Sequence, residues 1–176
     1  MEKIIQTAVL ILAIPIVASA QDADHQYRGQ GYGFYGIGGS LTNPNPYYHP
    51  VAQEGGFGGE GFLFKGLGMG GELSYVHWGP YGDQAWLPSV DVSYHKLGNR
   101  ARAQIDPFAL GGISVYVPTM HGARGDPAGD FGGGVNFWFQ RHAAMRFEVR
   151  DTVNGDNSNF GPGNHYLSFR FGATFR

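Results

Sequence analysis

Hydrophobic and polar residues alternate with a period of two along the stretch from Gly129 to Asp151. One face of this stretch is apolar and holds Phe131, Val135, Phe137, Phe139, Met145, Phe147 and Val149. The opposite face is mostly polar and holds Asn136, Trp138, Gln140, Arg146, Glu148 and Arg150. A period of two is the signature of a β-strand with two different environments on its two faces.

The two halves of this stretch are separated by about four residues, Arg141 to Ala144, which is the length of a hairpin loop. Parallel strands would need a much longer crossover, so the pattern predicts an antiparallel pair. Two environments fit the alternation equally well. Either the charged face meets water and the apolar face a core, or the charges line a barrel lumen and the apolar face meets lipid.

The same unit recurs along the chain and predicts eight strands. Four come first, at Tyr32–Leu41, Gly55–Phe64, Met69–Trp78 and Trp86–His95. A fifth runs from about Ala101 to Val117, two more form the hairpin above, and the last covers 165–176. Pro107 and the pair Gly111 and Gly112 predict a bulge or bend in the fifth strand.

The predicted connections alternate between long and short along the whole chain. Long connections rich in Gly, Pro and Asn follow the odd-numbered strands, and turns such as 65–68 and 96–99 follow the even-numbered ones. Outer-membrane barrels combine short turns on one rim with longer loops on the other. The sequence therefore predicts an all-β fold, an eight-stranded antiparallel up-and-down transmembrane β-barrel. A secreted, soluble lipocalin-like carrier is the alternative, because eight strands also suit that fold.

The first twenty residues have the form of a secretory signal peptide. Glu2 and Lys3 precede an apolar run of about ten residues, and Ala18-Ser19-Ala20 supplies the small residues of a cleavage site. We expect residues 1–20 to be removed, which leaves one barrel domain over residues 21–176 that is exported across the inner membrane. No other apolar stretch approaches the roughly 18 residues that a transmembrane helix needs.

Composition agrees with a barrel and excludes some other classes of protein. The chain contains 30 Gly, 13 Phe and 10 Tyr, and it has no cysteine for disulfide bonds. Its formal net charge of −2 gives no electrostatic reason to expect nucleic acid as a partner. Large aromatic residues near predicted strand ends, Trp86, Tyr94, Phe139 and Phe175, are typical of the girdles at membrane interfaces.

The segments Gly132–Trp138 and Met145–Asp151, followed by a closing strand of alternating aromatics, resemble the last hairpin and final strand of the OmpA/OmpX-like outer-membrane β-barrel domains. The resemblance implies a small monomeric barrel of the Gram-negative envelope, surrounded by outer-membrane lipid and lipopolysaccharide. It also implies insertion by the barrel-assembly machinery, which recognises a last strand that usually ends in Phe. Here Phe175 is penultimate and Arg176 is last.

If the barrel interpretation holds, one face of the strands supplies charged residues to the lumen. These residues are Glu72, Asp91, His95, Arg146, Glu148, Arg150 and Arg170. A barrel of eight strands is wide enough for side chains alone. We expect these charges to pair as a structural polar network, with loops displayed outward and with a non-enzymatic, structural or surface-interaction role.

An enzyme acting on lipid A is the main alternative function. Lipid A deacylases look like eight-stranded barrels with a His-x-Ser-Asn motif near the C-terminus. This chain has Asp156-Asn157-Ser158-Asn159 in the corresponding region, so Asp156 stands where the motif has histidine. Ser158 has no base two residues before it to activate it, and His165 lies on the apolar face of the last strand. We therefore expect no catalytic residue.

The sequence likewise predicts neither a metal site nor a cofactor. The seven histidines are scattered singly, without ligand-like spacing, at positions 25, 49, 77, 95, 121, 142 and 165. Glycine-rich runs such as 55–59 lack the strand-to-helix context and the Lys-Ser/Thr pair of a phosphate-binding loop.

Overall fold

The protein folds into eight β-strands that close into a barrel. The computed structural model describes residues 29–41, 51–64, 66–79, 84–96, 104–119, 125–154 and 165–176. The strands are β1 (Gly29–Ser40), β2 (Ala52–Phe64), β3 (Leu67–Trp78), β4 (Gln84–His95), β5 (Ile105–Pro118), β6 (Asp126–Trp138), β7 (Ala143–Asn154) and β8 (His165–Phe175). The proposed signal peptide, residues 1–20, lies outside the described residues.

Each strand pairs antiparallel with the next one in sequence, and β1 also pairs with β8. The closing ladder runs from Gly31 opposite Phe175 to Ser40 opposite Tyr166. Closure leaves no strand edge with unpaired backbone groups, which is the condition for a sheet to cross a bilayer. The predicted fold class, an eight-stranded antiparallel up-and-down barrel, is confirmed.

The alternation in the sequence becomes an inside and an outside. In β7 the side chains of Arg146, Glu148 and Arg150 point into the barrel and are buried, whereas those of Met145 and Phe147 point outward and are exposed. The same alternation runs through β4, where every second residue from Ala85 to His95 is buried. The strand faces predicted for the hairpin of β6 and β7 are therefore correct.

The outer surface of the barrel is apolar all round. Among the described residues, 26 large hydrophobic side chains are exposed, with examples on all eight strands. Ile113 is 71% exposed and Phe169 61%. Most of the charged side chains on the strands are inside, so the polarity is the reverse of a soluble carrier with an apolar pocket, and it matches a barrel whose outer band contacts lipid. No helix suited to crossing a membrane occurs among the described residues.

The two rims of the barrel differ in their connections. At one rim, called here the loop end, residues 41–51, 79–83, 119–125 and 155–164 connect strands. At the other rim, called the turn end, the connections are 65–66, 96–104 and 139–142. Strict alternation of long and short connections was wrong, because 96–104 is longer than 79–83. The reason is stagger: β4 ends at His95 opposite Phe108, and the preceding residues of β5 pair with β6 alone.

The bulge expected in β5 is also absent. Pairing of β5 with β6 is continuous from Ile105 to Tyr116. Pro107 is tolerated because it lies just past the end of the ladder with β4, where its missing N–H removes at most one bond. Its carbonyl accepts a 3.0 Å bond from the amide of Lys96, the residue after β4. The register shift lies instead between Phe62 and Phe64, beside the tight turn where Gly66 has φ of 91°.

Candidate functional site in the barrel interior

All seven side chains predicted to face the lumen lie inside the barrel. None of them is more than 6% exposed, and His95 is fully buried. Strand register explains why they meet, since β7 and β8 place Glu148 directly opposite Arg170. Inward residues two apart on one strand are also neighbours, so Arg146, Glu148 and Arg150 stack along the barrel axis.

Glu148 is the centre of the network. One of its oxygens accepts from Nε and Nη2 of Arg146 at 2.9 and 2.7 Å. The other accepts from Nε of Arg150 at 2.8 Å and from Nη1 of Arg170 at 3.3 Å. One carboxylate thus contacts three guanidinium groups, so each of these four buried charges has a partner of opposite sign.

Arg150 and Arg170 extend the network toward β2, β3 and β4. Arg150 donates to Glu72 and to Asp91, each at 3.2 Å. Arg170 donates to Glu72 at 2.9 Å and makes two bonds to Glu54, one of them at 3.1 Å from Nε. These contacts join strands on opposite walls of the barrel, so the network links the walls and also fills the lumen.

A second polar cluster surrounds His95 near the turn end. Its Nδ1 lies 2.8 Å from Asp106 and its Nε2 lies 3.3 Å from Glu60. A carboxylate can only accept, so both contacts are satisfied together when His95 is an imidazolium that donates from both nitrogens. Glu60 also accepts from Gln30 at 2.6 Å and from Ser93. With His95 protonated, the cluster keeps one negative charge in excess, and Arg146, which binds Glu148, also lies 3.9 Å from Glu60.

Aromatic rings separate these polar layers, and glycines make room for them. The Arg146 guanidinium lies between the rings of Tyr32 and Phe108, 4.2 and 4.0 Å from their centroids. A Cβ at Gly58 would lie 2.7 Å from the Tyr32 ring, and one at Gly134 would lie 2.8 Å from the Phe108 ring. The rings of Tyr32 and Phe108 thus make cation–π contacts with Arg146 and also cover the inward-facing residues Gly58 and Gly134.

Sequence reasoning missed three buried carboxylates of these clusters, Glu54, Glu60 and Asp106. Glu54 was missed because β2 begins at Ala52, three residues before the predicted start. Glu60 lies on the same inward face, but the glycines between the two obscure the alternation. In β5 the even-numbered residues face inward without a break, so alternation carried past Pro107 would have identified Asp106.

The interior near the loop end is apolar. Ala52, Val76, Ala85, Leu87, Tyr116 and Tyr166 form a buried cluster there, with Trp78 packed against it. A cavity of about 20 Å³ lies among Val76, Trp78, Leu87, Tyr116, Thr152, Asn154 and Tyr166. That volume accommodates about one water molecule. At this level the lumen is thus filled by side chains, with space for about one water molecule among the residues that line the cavity.

The candidate catalytic and metal-binding residues give no assembled site among the described residues. Asp156, Asn157, Ser158 and Asn159 lie outside them. No group of three or more His, Cys, Asp or Glu side chains there has an arrangement that would hold a metal ion. His165 faces outward at the loop end and its Nδ1 lies 2.8 Å from Asp151.

Solved structures of small outer-membrane proteins share this fold. The Neisserial surface protein A, NspA, has a TM-score of 0.68 at 8% identity, covering 84% of this chain and 96% of that one. The N-terminal β-barrel domain of Pseudomonas aeruginosa OprF has a TM-score of 0.56 at 14% identity, covering 84% and 98%.

The outer membrane enzyme PagL has a TM-score of 0.56 at 14% identity, covering 82% of this chain and 99% of PagL. No protein-family profile and no curated protein sequence matches the chain. The structural likeness confirms the fold that the resemblance implied. The chain has the fold of the small eight-stranded outer-membrane β-barrels.

Proposed function

We propose that the protein is a non-enzymatic, integral outer-membrane β-barrel that acts through its outer surface and its loops. The observation that carries this proposal is the distribution of polarity: an apolar band faces outward on every strand, and the paired charges are inside. A filled lumen suits a structural or surface-interaction role better than transport. Loops held by a rigid barrel are where binding residues concentrate.

Location and partners follow as part of the same proposal. The fold is shared with outer-membrane proteins, which supports an outer-membrane location after export by the predicted signal peptide, residues 1–20. Lipid and lipopolysaccharide would contact the apolar band, and the barrel-assembly machinery would insert the chain. Because closure satisfies every strand edge within one chain, a monomer is sufficient.

Fractionation of a Gram-negative host that expresses the full chain tests the location. We expect the protein in the outer-membrane fraction, extractable with detergent, and lacking residues 1–20 by N-terminal sequencing. Recovery from the periplasm without detergent would contradict the proposal. Planar-bilayer recordings of the purified monomer test the filled lumen, and we expect no sustained porin-sized current.

An enzyme that acts on lipid A is the second candidate, and one contact favours it. His165 and Asp151 form a histidine–carboxylate pair on the outer face beside 155–164, the connection that contains Ser158. A carboxylate that orients a histidine is part of the arrangement by which a serine is activated. The shared fold with the outer membrane enzyme PagL keeps this candidate open.

Mass spectrometry of lipid A from the expressing host separates the two candidates. The non-enzymatic proposal predicts the same acyl chains with and without the protein. Loss of an acyl chain that requires Ser158, shown by comparison with Ser158→Ala, would replace it with the enzyme. His142→Ala is a matched control, because His142 is an exposed histidine at the turn end, at the opposite rim from Asp151 and His165.

A further inference from the structure

Negative charge exceeds positive charge inside the barrel. Among the described residues the buried carboxylates are Glu54, Glu60, Glu72, Asp91, Asp106, Asp130 and Glu148. The buried cationic side chains there are His95, Arg146, Arg150 and Arg170, so three negative charges are in excess even with His95 protonated. A buried charge without a partner is costly, and the excess calls for a compensating group.

Asp130 on β6 has no compensating cation among the described residues. It is 5% exposed, and its Oδ1 accepts from the Thr152 hydroxyl at 2.6 Å. Its Oδ2 is buried and has no hydrogen-bond partner. No arginine, lysine or histidine in the described part of the chain forms an ion pair with it.

A second carboxylate, Asp91, faces Asp130 across one glycine. The register places Gly112 of β5 between Asp91 of β4 and Asp130 of β6. A Cβ at Gly112 would contact Oδ1 of Asp91, so this oxygen lies over the glycine. Arg150 and Ser89 bind Oδ2 of Asp91, at 3.2 and 3.1 Å, whereas its Oδ1 is buried without a partner. Both carboxylates are buried on the strands that flank Gly112, so two like charges share this part of the lumen.

A third buried oxygen lies one inward position further along β5. Ser114 is 4% exposed, and its hydroxyl has no partner. Three unpartnered oxygens, two of them carboxylate, thus lie on inward positions of the neighbouring strands β4, β5 and β6, with Ser114 one inward position from the row of Asp91, Gly112 and Asp130. This set has the chemistry of ligands for a hard cation, because Ca²⁺ binds carboxylate, hydroxyl and water oxygens in a flexible geometry.

Thr152 lies between these oxygens and the loop end. It lines the cavity of about 20 Å³ near that rim and donates to Asp130, whereas Asp91, Ser114 and Asp130 do not line the cavity. Arg150 is the nearby opposing charge, and it is shared among Glu72, Asp91 and Glu148.

We propose that the lumen binds one hard divalent cation of the Ca²⁺ class, held by Asp91 Oδ1, Asp130 Oδ2 and the Ser114 hydroxyl, with waters completing its shell. The cation would join β4, β5 and β6 below the loops. Because no His or Cys is part of the set, softer metals such as Zn²⁺ or Cu²⁺ are not the preferred ions. This site is independent of the function proposed above.

Calorimetric titration of the full mature barrel tests the site directly. The protein is refolded in lipopolysaccharide-free detergent micelles, treated with EDTA, and titrated with CaCl₂, MgCl₂ or tetramethylammonium chloride. We expect one saturable Ca²⁺ site per barrel and at least tenfold weaker binding in Asp130→Asn. Asp151→Asn, an outward-facing change of the same chemistry, should leave the affinity unchanged.

Ser114→Ala serves as the second variant, since it removes one hydroxyl and keeps every charge; we expect a severalfold loss of Ca²⁺ affinity. Folding of each variant is checked by the heat-dependent mobility of the closed barrel. Absence of a saturable Ca²⁺ site in the wild type, or undiminished binding in folded Asp130→Asn or Ser114→Ala, would overturn the proposal. Saturable binding of tetramethylammonium in place of Ca²⁺ would also overturn it.

Discussion

At the scale of single residues, the interior is built from charged side chains that each depend on several partners. Arg150 is 1% exposed and contacts Glu72, Asp91 and Glu148. Its removal would leave three carboxylates short of one positive charge in a region without bulk water. Breaking a buried ion pair by removing one partner costs about 3–5 kcal/mol, whereas an exposed pair contributes about 0–1 kcal/mol.

Arg150→Met should therefore lower the free energy of unfolding by about 3–5 kcal/mol. Arg141→Met is the matched control, because Arg141 is exposed in the turn after β6, and it should change the free energy by less than about 0.5 kcal/mol. Urea unfolding in lipid vesicles, followed by tryptophan fluorescence, measures both. Equal effects of the two substitutions would show that the interior network does not stabilise the barrel.

Inward glycines are equally specific, because a side chain at some of them has no space. A Cβ at Gly134 would contact the carbonyl of Phe147, and it would lie 2.8 Å from the Phe108 ring on which Arg146 stacks. At Gly129, on the same strand but facing outward, a Cβ would meet no atom within 4 Å. Substitutions at these two positions therefore distinguish the effect of missing space for a side chain from the general cost of glycine in a strand.

Gly134→Ala should destabilise the barrel by about 1–3 kcal/mol, the usual cost of overpacking. Gly129→Ala should be neutral or stabilise it by up to about 1 kcal/mol, because the unfolded chain loses freedom. The unfolding midpoints of the two variants in the same lipid decide the matter. A larger loss from Gly129→Ala than from Gly134→Ala would contradict the packing described here.

At the scale of elements, the inward and outward faces of a strand could be predicted where its side chains are clearly apolar or polar. The faces of β4, β7 and β8 were read correctly from sequence because most of their outward positions are apolar and most of their inward positions are polar. The start of β2 was not predicted correctly, because glycine does not indicate which face of a strand it occupies. The course of β5 was not predicted correctly either, because proline suggests a break, whereas β5 pairs with β6 without one. Strand stagger, which lengthens the connection 96–104, is a property of closure and has no local signal in the sequence.

Position along a strand also sets the cost of a charge on the lipid face. Phe137 is exposed to the outside, but it is the penultimate residue of β6 and thus lies near the turn end. Val149 is exposed near the middle of β7, opposite Gly133 and Phe169. An outward arginine costs about 2–4 kcal/mol at the bilayer midplane and about 0–1 kcal/mol near the interfaces.

Val149→Arg should therefore destabilise the folded barrel by about 2–4 kcal/mol. Phe137→Arg also loses a ring contact with Phe147, but the cost of its charge should be clearly smaller than at Val149. Unfolding in vesicles of defined lipid thickness measures the difference. A thinner bilayer should reduce the cost at Val149. Equal costs at the two positions, independent of thickness, would contradict the depth assigned to β7.

At the scale of the whole molecule, closure creates the interior that no single strand contains. Alternation placed the seven predicted charges on the inward face, but their partners depend on which strands meet across the lumen. Arg170 reaches Glu54, which is 116 residues away in sequence, and Arg150 reaches Glu72, which is 78 residues away. Such pairs follow from the barrel's width and stagger, so the sequence predicted the members of the network better than its pairing.

The most direct test of the account is which face of β7 meets lipid. The chain has no cysteine, so single cysteines from Met145 to Arg150 accept a small nitroxide label without background. Electron paramagnetic resonance in liposomes then compares access by oxygen, which concentrates in lipid, with access by a water-soluble nickel complex. We predict oxygen maxima at 145, 147 and 149, and low access by both reagents at 146, 148 and 150. Oxygen maxima at the even positions, or nickel access at the odd ones, would contradict a barrel with its charges inside and lipid outside.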